Sequence, residues 1–283
     1  MRTGTAYLTL SLLLGLPRLV PAAQTISDES AFLARARAAS EKYKDQLLAI
    51  ADGYRAIGPE APAMGQHWLQ PGLLVGARFD VDHPTILEYV TVQGQPVLAG
   101  VGYALPLGVG ESPPDAPAGR AAWHSHAGGV EEEGVTLSHE DSHGEGDQER
   151  VAVLHAWVWI DNPAGPFVPL NWTLPYVRAG LDPRGASSAP AKALSLANGG
   201  TEFWETGLEH ALDTDARGLA ALHRVVGAYA DTVGAWWTHR DAGTRLRAPD
   251  EAWLSGLWER LRGAVMGTLD APARERAAML SGF

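Results

Sequence analysis

The sequence predicts an α+β fold: an antiparallel β core, barrel-like or sandwich-like, flanked by an N-terminal helix and a C-terminal helical region. Three observations predict it. Apolar residues recur at three- and four-residue spacing from Ser27 to Ile57, the period of a helix that buries one face. Short β-branched and aromatic runs broken by turn residues occupy residues 64–181. Helical spacing returns after Thr201.

The chain opens with Arg2, an apolar run from Ala6 to Leu16 and the small-residue stretch Val20-Pro21-Ala22-Ala23. Basic, then apolar, then small is the order of a secretory signal peptide. The apolar run of about 11 residues is short of the ~20 that span a bilayer as a helix. Residues 1–23 are therefore expected to be a cleaved signal, and the mature protein to be periplasmic or secreted, starting at Ala23 or Gln24. The chain has no cysteine, which excludes a lipidated cysteine anchor and any disulfide, so stability must come from the core. It carries 22 Lys+Arg against 33 Asp+Glu, a net charge of −11. The signal holds Arg2 and Arg18 and no acid, so the remainder is more acidic still. Such a surface speaks against nucleic acid and against an anionic membrane face as partners. No later segment approaches spanning length, so no stable membrane insertion is expected.

Residues 24–58 are expected to hold the N-terminal helix, with Phe32, Leu33, Ala36, Ala39, Tyr43, Leu47, Leu48 and Ala51 as its stripe. Ser27 or Asp28 would cap it, and Gly58-Pro59 would end it. Within the β core of 64–181, Ile86–Val92 is one strand, Val97–Leu105 a second, and Gln93-Gly94-Gln95-Pro96 the turn between them. Val151–Ile160 (VAVLHAWVWI) is apolar on both faces, as a central buried strand is. Asn162-Pro163-Ala164-Gly165 breaks it. The stretch on to Phe167 and Asn171 is a rigid structural turn, in which Asn171 could also orient a ligand. Residues 182–200, rich in Pro, Gly, Ala and Ser, are expected to be a linker or surface loop. Residues 201–283 form the helical region, with stripes over Asp213–His239 and Pro249–Thr268 and a last helix opened by Asp270-Ala271-Pro272. One stretch is too polar to pack. Between His124 and Glu149 lie four histidines, eight acidic residues and five glycines, with no Lys or Arg. Residues 127–149 are expected to be a mobile exposed loop.

The candidate chemistry is in the β region. In Trp123-His124-Ser125-His126, strand alternation puts His124 and His126 on one face and Trp123 and Ser125 on the other. Two imidazoles on one face make half of a metal site; two solvated histidines at a loop edge are the alternative. His155 shares a face with Val153 and Trp157 inside the most apolar strand, where both of its ring nitrogens need partners. His67, between a turn and Trp68, is a plausible loop ligand. Glu88, on the face of Ile86 and Val90, is read as a sheet-edge carboxylate, with a fourth-ligand role or a partner role to an imidazole N–H as the alternatives. His83 looks like turn chemistry, and His210, His223 and His239 fall in the helical part. Thiol catalysis is excluded, and no Gly-X-Ser-X-Gly, phosphate loop or His-Glu-X-X-His is present. The expectation is a metal site of His67, His124, His126 and His155 for Zn, Cu or Fe, the ions that imidazoles suit. A non-catalytic metal-capture protein using residues 124–149, and a metal-free β domain that binds a ligand or partner, are the alternatives.

Several of these segments resemble a family of exported bacterial proteins of no established activity. GQHWLQPGLL with FDVDHPTILEYV, then LAGVGYAL, WHSH, and LHAWVWIDNPAGPF with Asn171 follow the order and spacing of its short motifs over about residues 64–175. The resemblance implies that His67, His124, His126 and His155 belong together and implies no reaction. In that family the GV.Y strand often has Glu where this chain has Gly102; if that acid is a ligand there, its loss implies a different donor set here. His124-X-His126 followed by Glu131 also resembles the first motif of the cupins. The glycine before His124 is one position short, and no second cupin motif surrounds His155.

Overall fold

A computed structural model describes residues 28–117, 119–127, 150–197, 200–212 and 216–278. The expected signal, and residues 128–149 with nearly all of the acidic stretch, lie outside the described residues.

The first helix, α1 (Glu29–Ser40), is capped by Asp28, whose carboxylate accepts from the Ser30 and Ala31 backbone N–H groups at 2.9 and 3.3 Å. The single helix expected over residues 24–58 is broken. A 3-10 turn (Glu41–Lys44) follows α1, Asp45 caps a second helix, α2 (Gln46–Ala51), and Arg55–Ala61 is strand β1. The apolar spacing past Tyr43 does not mark a buried face: Leu47, Leu48 and Ile50 are exposed. Gly58 and Pro59 sit inside an edge strand, where a residue without an N–H costs no ladder bond.

The sheet continues with β2 (Gly65–Leu69), β3 (Ile86–Val92), β4 (Gln95–Leu107), β5 (His124–Ala127) and β6 (Arg150–Ala156). Its order is β1-β2-β3-β4-β6-β5 with every pairing antiparallel. It is one open sheet, neither barrel nor sandwich. β3 has the boundaries the sequence predicts. Gln93 and Gly94 turn the β3–β4 hairpin with φ of 50° and 76°, the left-handed pair whose twist matches the flanking strands.

One face of the sheet buries Leu87, Tyr89, Val101, Tyr103 and Leu154 against Phe32, Ala36 and Tyr43. The opposite face carries Leu69, Ile86, Ala104, Val151 and Val153, and beyond them Val90, Ala99 and Trp157. A short helix, α3 (Pro71–Val75), follows β2. After β6 the chain turns as the Asn162–Asn171 stretch predicts. Asn171 is fully buried, donates to Ile160 O (3.2 Å) and Asp161 O (3.4 Å), and accepts from the N–H (3.1 Å) and hydroxyl (2.6 Å) of Thr173. Its amide is spent on holding the turn rather than on a ligand.

Helix α4 (Leu174–Arg178) bridges the two halves: Leu174 packs beneath the sheet and Tyr176 enters the helical core. Arg178 also lies 3.2 Å from Glu60 of β1. In 182–200, expected to be linker or loop, residues Ser188–Ser195 form helix α5, whose Ala191, Ala193 and Leu194 are buried. Its small side chains, which made the stretch look like a loop, let it pack closely. The rest is helical as expected: α6 (Gly200–Leu212), α7 (Ala216–Trp237), α8 (Ala248–Thr268) and α9 (Ala271–Ala278). They enclose Trp204, Leu222, Leu254 and Trp258.

Candidate metal centre

Three neighbouring positions of the second sheet face carry polar side chains where apolar ones would be expected. His67 (8 % exposed), Glu88 (0 %) and His155 (1 %) are all buried. Each offers one ligand-type atom, and these atoms lie within 4.8 Å of one another, so the group is equipped to hold a metal ion.

Strand register explains the convergence. His67 of β2 pairs directly with Glu88 of β3. Glu88 in turn stands opposite Gly100 of β4, and Gly102 of β4 stands opposite His155 of β6. Strands β3 and β6 are thus separated by all of β4, about 9–10 Å at the usual ~4.8 Å spacing. The Nδ1 of His155 nevertheless hydrogen-bonds to Oε1 of Glu88. The two meet across β4 because that strand has no side chain at either crossing point. A Cβ on Gly100 would lie 2.5 Å from Glu88 Oε2, and one on Gly102 would lie 3.5 Å from Oε1. The β3–β4 register shifts between Glu88 and Tyr89, a bulge of the kind found where a strand re-aims a side chain.

The surroundings are apolar. Trp157 stacks on His155 with centroids 6.0 Å apart and planes 13° apart, and Ile86 and Val153 lie on the same face. The Oε2 of Glu88 is buried and has no hydrogen-bond partner among the described residues. A carboxylate oxygen taken out of water without a donor costs several kcal/mol unless positive charge is nearby.

The four histidines expected to form the site lie as follows. His67 and His155 are together, with ring centroids 5.7 Å apart. His67 is on a strand rather than in a loop. His124 begins β5 opposite Val153, and its half-buried ring lies 5.0 Å from that of His155 with the planes 10° apart. Trp123, next in the chain, is buried in the opposite core, as strand alternation requires. His126 stands two residues along β5, opposite Val151; its side chain, like Glu131, lies outside the described residues. Glu88 is the residue that the sequence reading misplaced: it is in the sheet interior, not at an edge. The signal that could have found it is Gly100-Val101-Gly102 in mid-strand, since glycine inside a strand often marks a close approach. Outside the site, His83 bonds to Asp80 within its turn at 3.0 Å, as expected.

No helix among the described residues is long and apolar enough to cross a membrane. No protein-family model, curated protein or solved structure matches this chain.

Proposed function

We propose that this is an exported protein that holds one transition-metal ion in the His67–Glu88–His155 centre, with His124 beside it. The observation that carries the reading is the convergence of three buried ligand-type side chains from three strands, with one carboxylate oxygen left without a donor. Keeping such groups out of water is costly, and a bound cation offsets that cost. Imidazole with carboxylate suits Zn²⁺, Fe²⁺ or Cu²⁺ rather than Ca²⁺ or Mg²⁺, which prefer all-oxygen shells. Export is supported by the order of basic, apolar and small residues in 1–23.

Elemental analysis of the protein as it is purified from its own compartment, without chelator, tests the reading. About one equivalent of Zn, Fe or Cu per chain is expected, and its loss in His155→Ala and His67→Ala. Metal-free protein after exposure to each ion would refute it.

A further inference from the structure

Resting on the reading of this centre as a metal site, we infer that Glu88 is not a ligand but the positioning residue for His155, and that the ion sits on His67, His155 and His124. The Glu88–His155 hydrogen bond uses Nδ1 of the ring. An ionised carboxylate only accepts, so beside it a neutral imidazole donates from Nδ1 and carries its lone pair on Nε2, at the far side of the ring. Metal-bound histidines commonly donate their other N–H to a carboxylate in this way, which fixes tautomer and orientation.

Packing argues against the alternative, in which the ion lies between Glu88 and Nδ1. Two ligands on one ion with bonds of about 2.0–2.2 Å stand roughly 3 Å apart, so the pair would have to be wedged open. Glu88 has little room to retreat: it is fully buried and seated on the β4 backbone, with Oε2 only 2.5 Å from where a Gly100 Cβ would be.

Measured from His155, the ring separations fit a three-histidine set, although the ligand atoms that already lie within 4.8 Å of one another are those of His67, Glu88 and His155. A metal–nitrogen bond of about 2.0–2.1 Å plus ~1.2 Å from nitrogen to ring centre puts the ion ~3.2 Å from each centroid, so two histidines at a tetrahedral angle have centroids ~5.2 Å apart. The distances from His155 are 5.7 Å to His67 and 5.0 Å to His124. The His124 ring lies parallel to that of His155, so aiming it at the ion takes a turn about its χ2, a broad, soft torsion. His124 is in an edge strand that pairs, among the described residues, with β6. A bound ion therefore fastens that strand to the sheet.

The test uses the full chain loaded with Zn²⁺, which is diamagnetic. Long-range ¹H–¹⁵N correlation spectra report which histidine nitrogen is metal-bound. The expected result is Nε2 coordination at His155 with a slowly exchanging Nδ1–H. Glu88→Gln, whose amide oxygen still accepts that hydrogen, should weaken Zn²⁺ binding by about 10–100-fold. His67→Ala and His124→Ala should both lose stoichiometric Zn²⁺. Coordination through Nδ1 of His155, with Glu88→Gln as damaging as His67→Ala, would overturn the inference while leaving the metal site standing. Wild-type affinity in His124→Ala would overturn the assignment of the third donor. A wild-type chain that takes up no Zn²⁺, Fe²⁺ or Cu²⁺ would overturn the underlying metal reading as well.

Discussion

Gly100→Ala is the smallest change that reaches the centre without touching a titratable group. The added methyl would lie 2.5 Å from Glu88 Oε2, 3.0 Å from Ala156 O and 3.0 Å from a Trp157 ring carbon. The first separation is far inside van der Waals contact, and the second is to backbone, which yields only if β4 and β6 move apart. Glu88 must then leave His155, or the strands must separate. Overpacking of this kind costs about 1–3 kcal/mol. At roughly 2–4 °C per kcal/mol for a chain of this size, Tm should fall by about 2–12 °C. Metal occupancy should fall with it, because the hydrogen bond that orients His155 is the contact displaced. Gly227→Ala in α7 is the control. Its Cβ meets nothing within 4 Å, so it should be neutral or slightly stabilising, as Ala for Gly in a helix is. Calorimetry and metal analysis on the two variants check both effects. Equal Tm and equal occupancy for Gly100→Ala and wild type would refute the claim that β4 carries glycine there to let Glu88 and His155 meet.

Three further outcomes are expected. Stripping the ion with chelator should lower Tm, since an ion at 100-fold its Kd stabilises by about 2.7 kcal/mol; restored metal should raise Tm in wild type and leave His155→Ala unchanged. The hydrogen bonds from Arg184 hold the Asp182 carboxyl below its ordinary range, at about 2. Such a group stabilises the fold above the unfolded value near ~3.9, and the contribution is lost as pH falls toward the folded value. Asp182→Asn should therefore lower stability at neutral pH and flatten the acid limb below about pH 4, as seen in fluorescence-monitored unfolding. Mass spectrometry of protein recovered from outside the cytoplasm should find Ala23 or Gln24 as its first residue; an intact Met1 would contradict export.

The parts of the fold that were legible in the sequence are those set by local pattern. The β-branched run Ile86–Val92 gives β3 its observed limits, and Gln93-Gly94 gives the hairpin its left-handed turn. The face shared by Val153, His155 and Trp157 follows from alternation. Helices α7 and α8 follow from their stripes. What was not legible depends on neighbours distant in sequence. β1 is an exposed edge strand containing Gly58 and Pro59, and its pairing with β2 gives it a structure that its own residues do not signal. Helix α5 is composed of small residues that look like a linker until α8 packs on it. Glu88 looked peripheral because its partner is 67 residues away and two strands over, a contact that exists only because of the gap left by Gly100 and Gly102. Strand alternation places His155 and Glu88 each on a face, but only the register of β4 shows that the two share one.

Anomalous diffraction from crystals of the metal-loaded full chain, collected at the absorption edge of the ion that elemental analysis identifies, tests the central claim most directly. A single strong peak is expected about 2.0–2.2 Å from a ring nitrogen of His67 and of His155, on the sheet face opposite α1. A peak elsewhere in the chain with this centre empty, or no peak after loading, would contradict it.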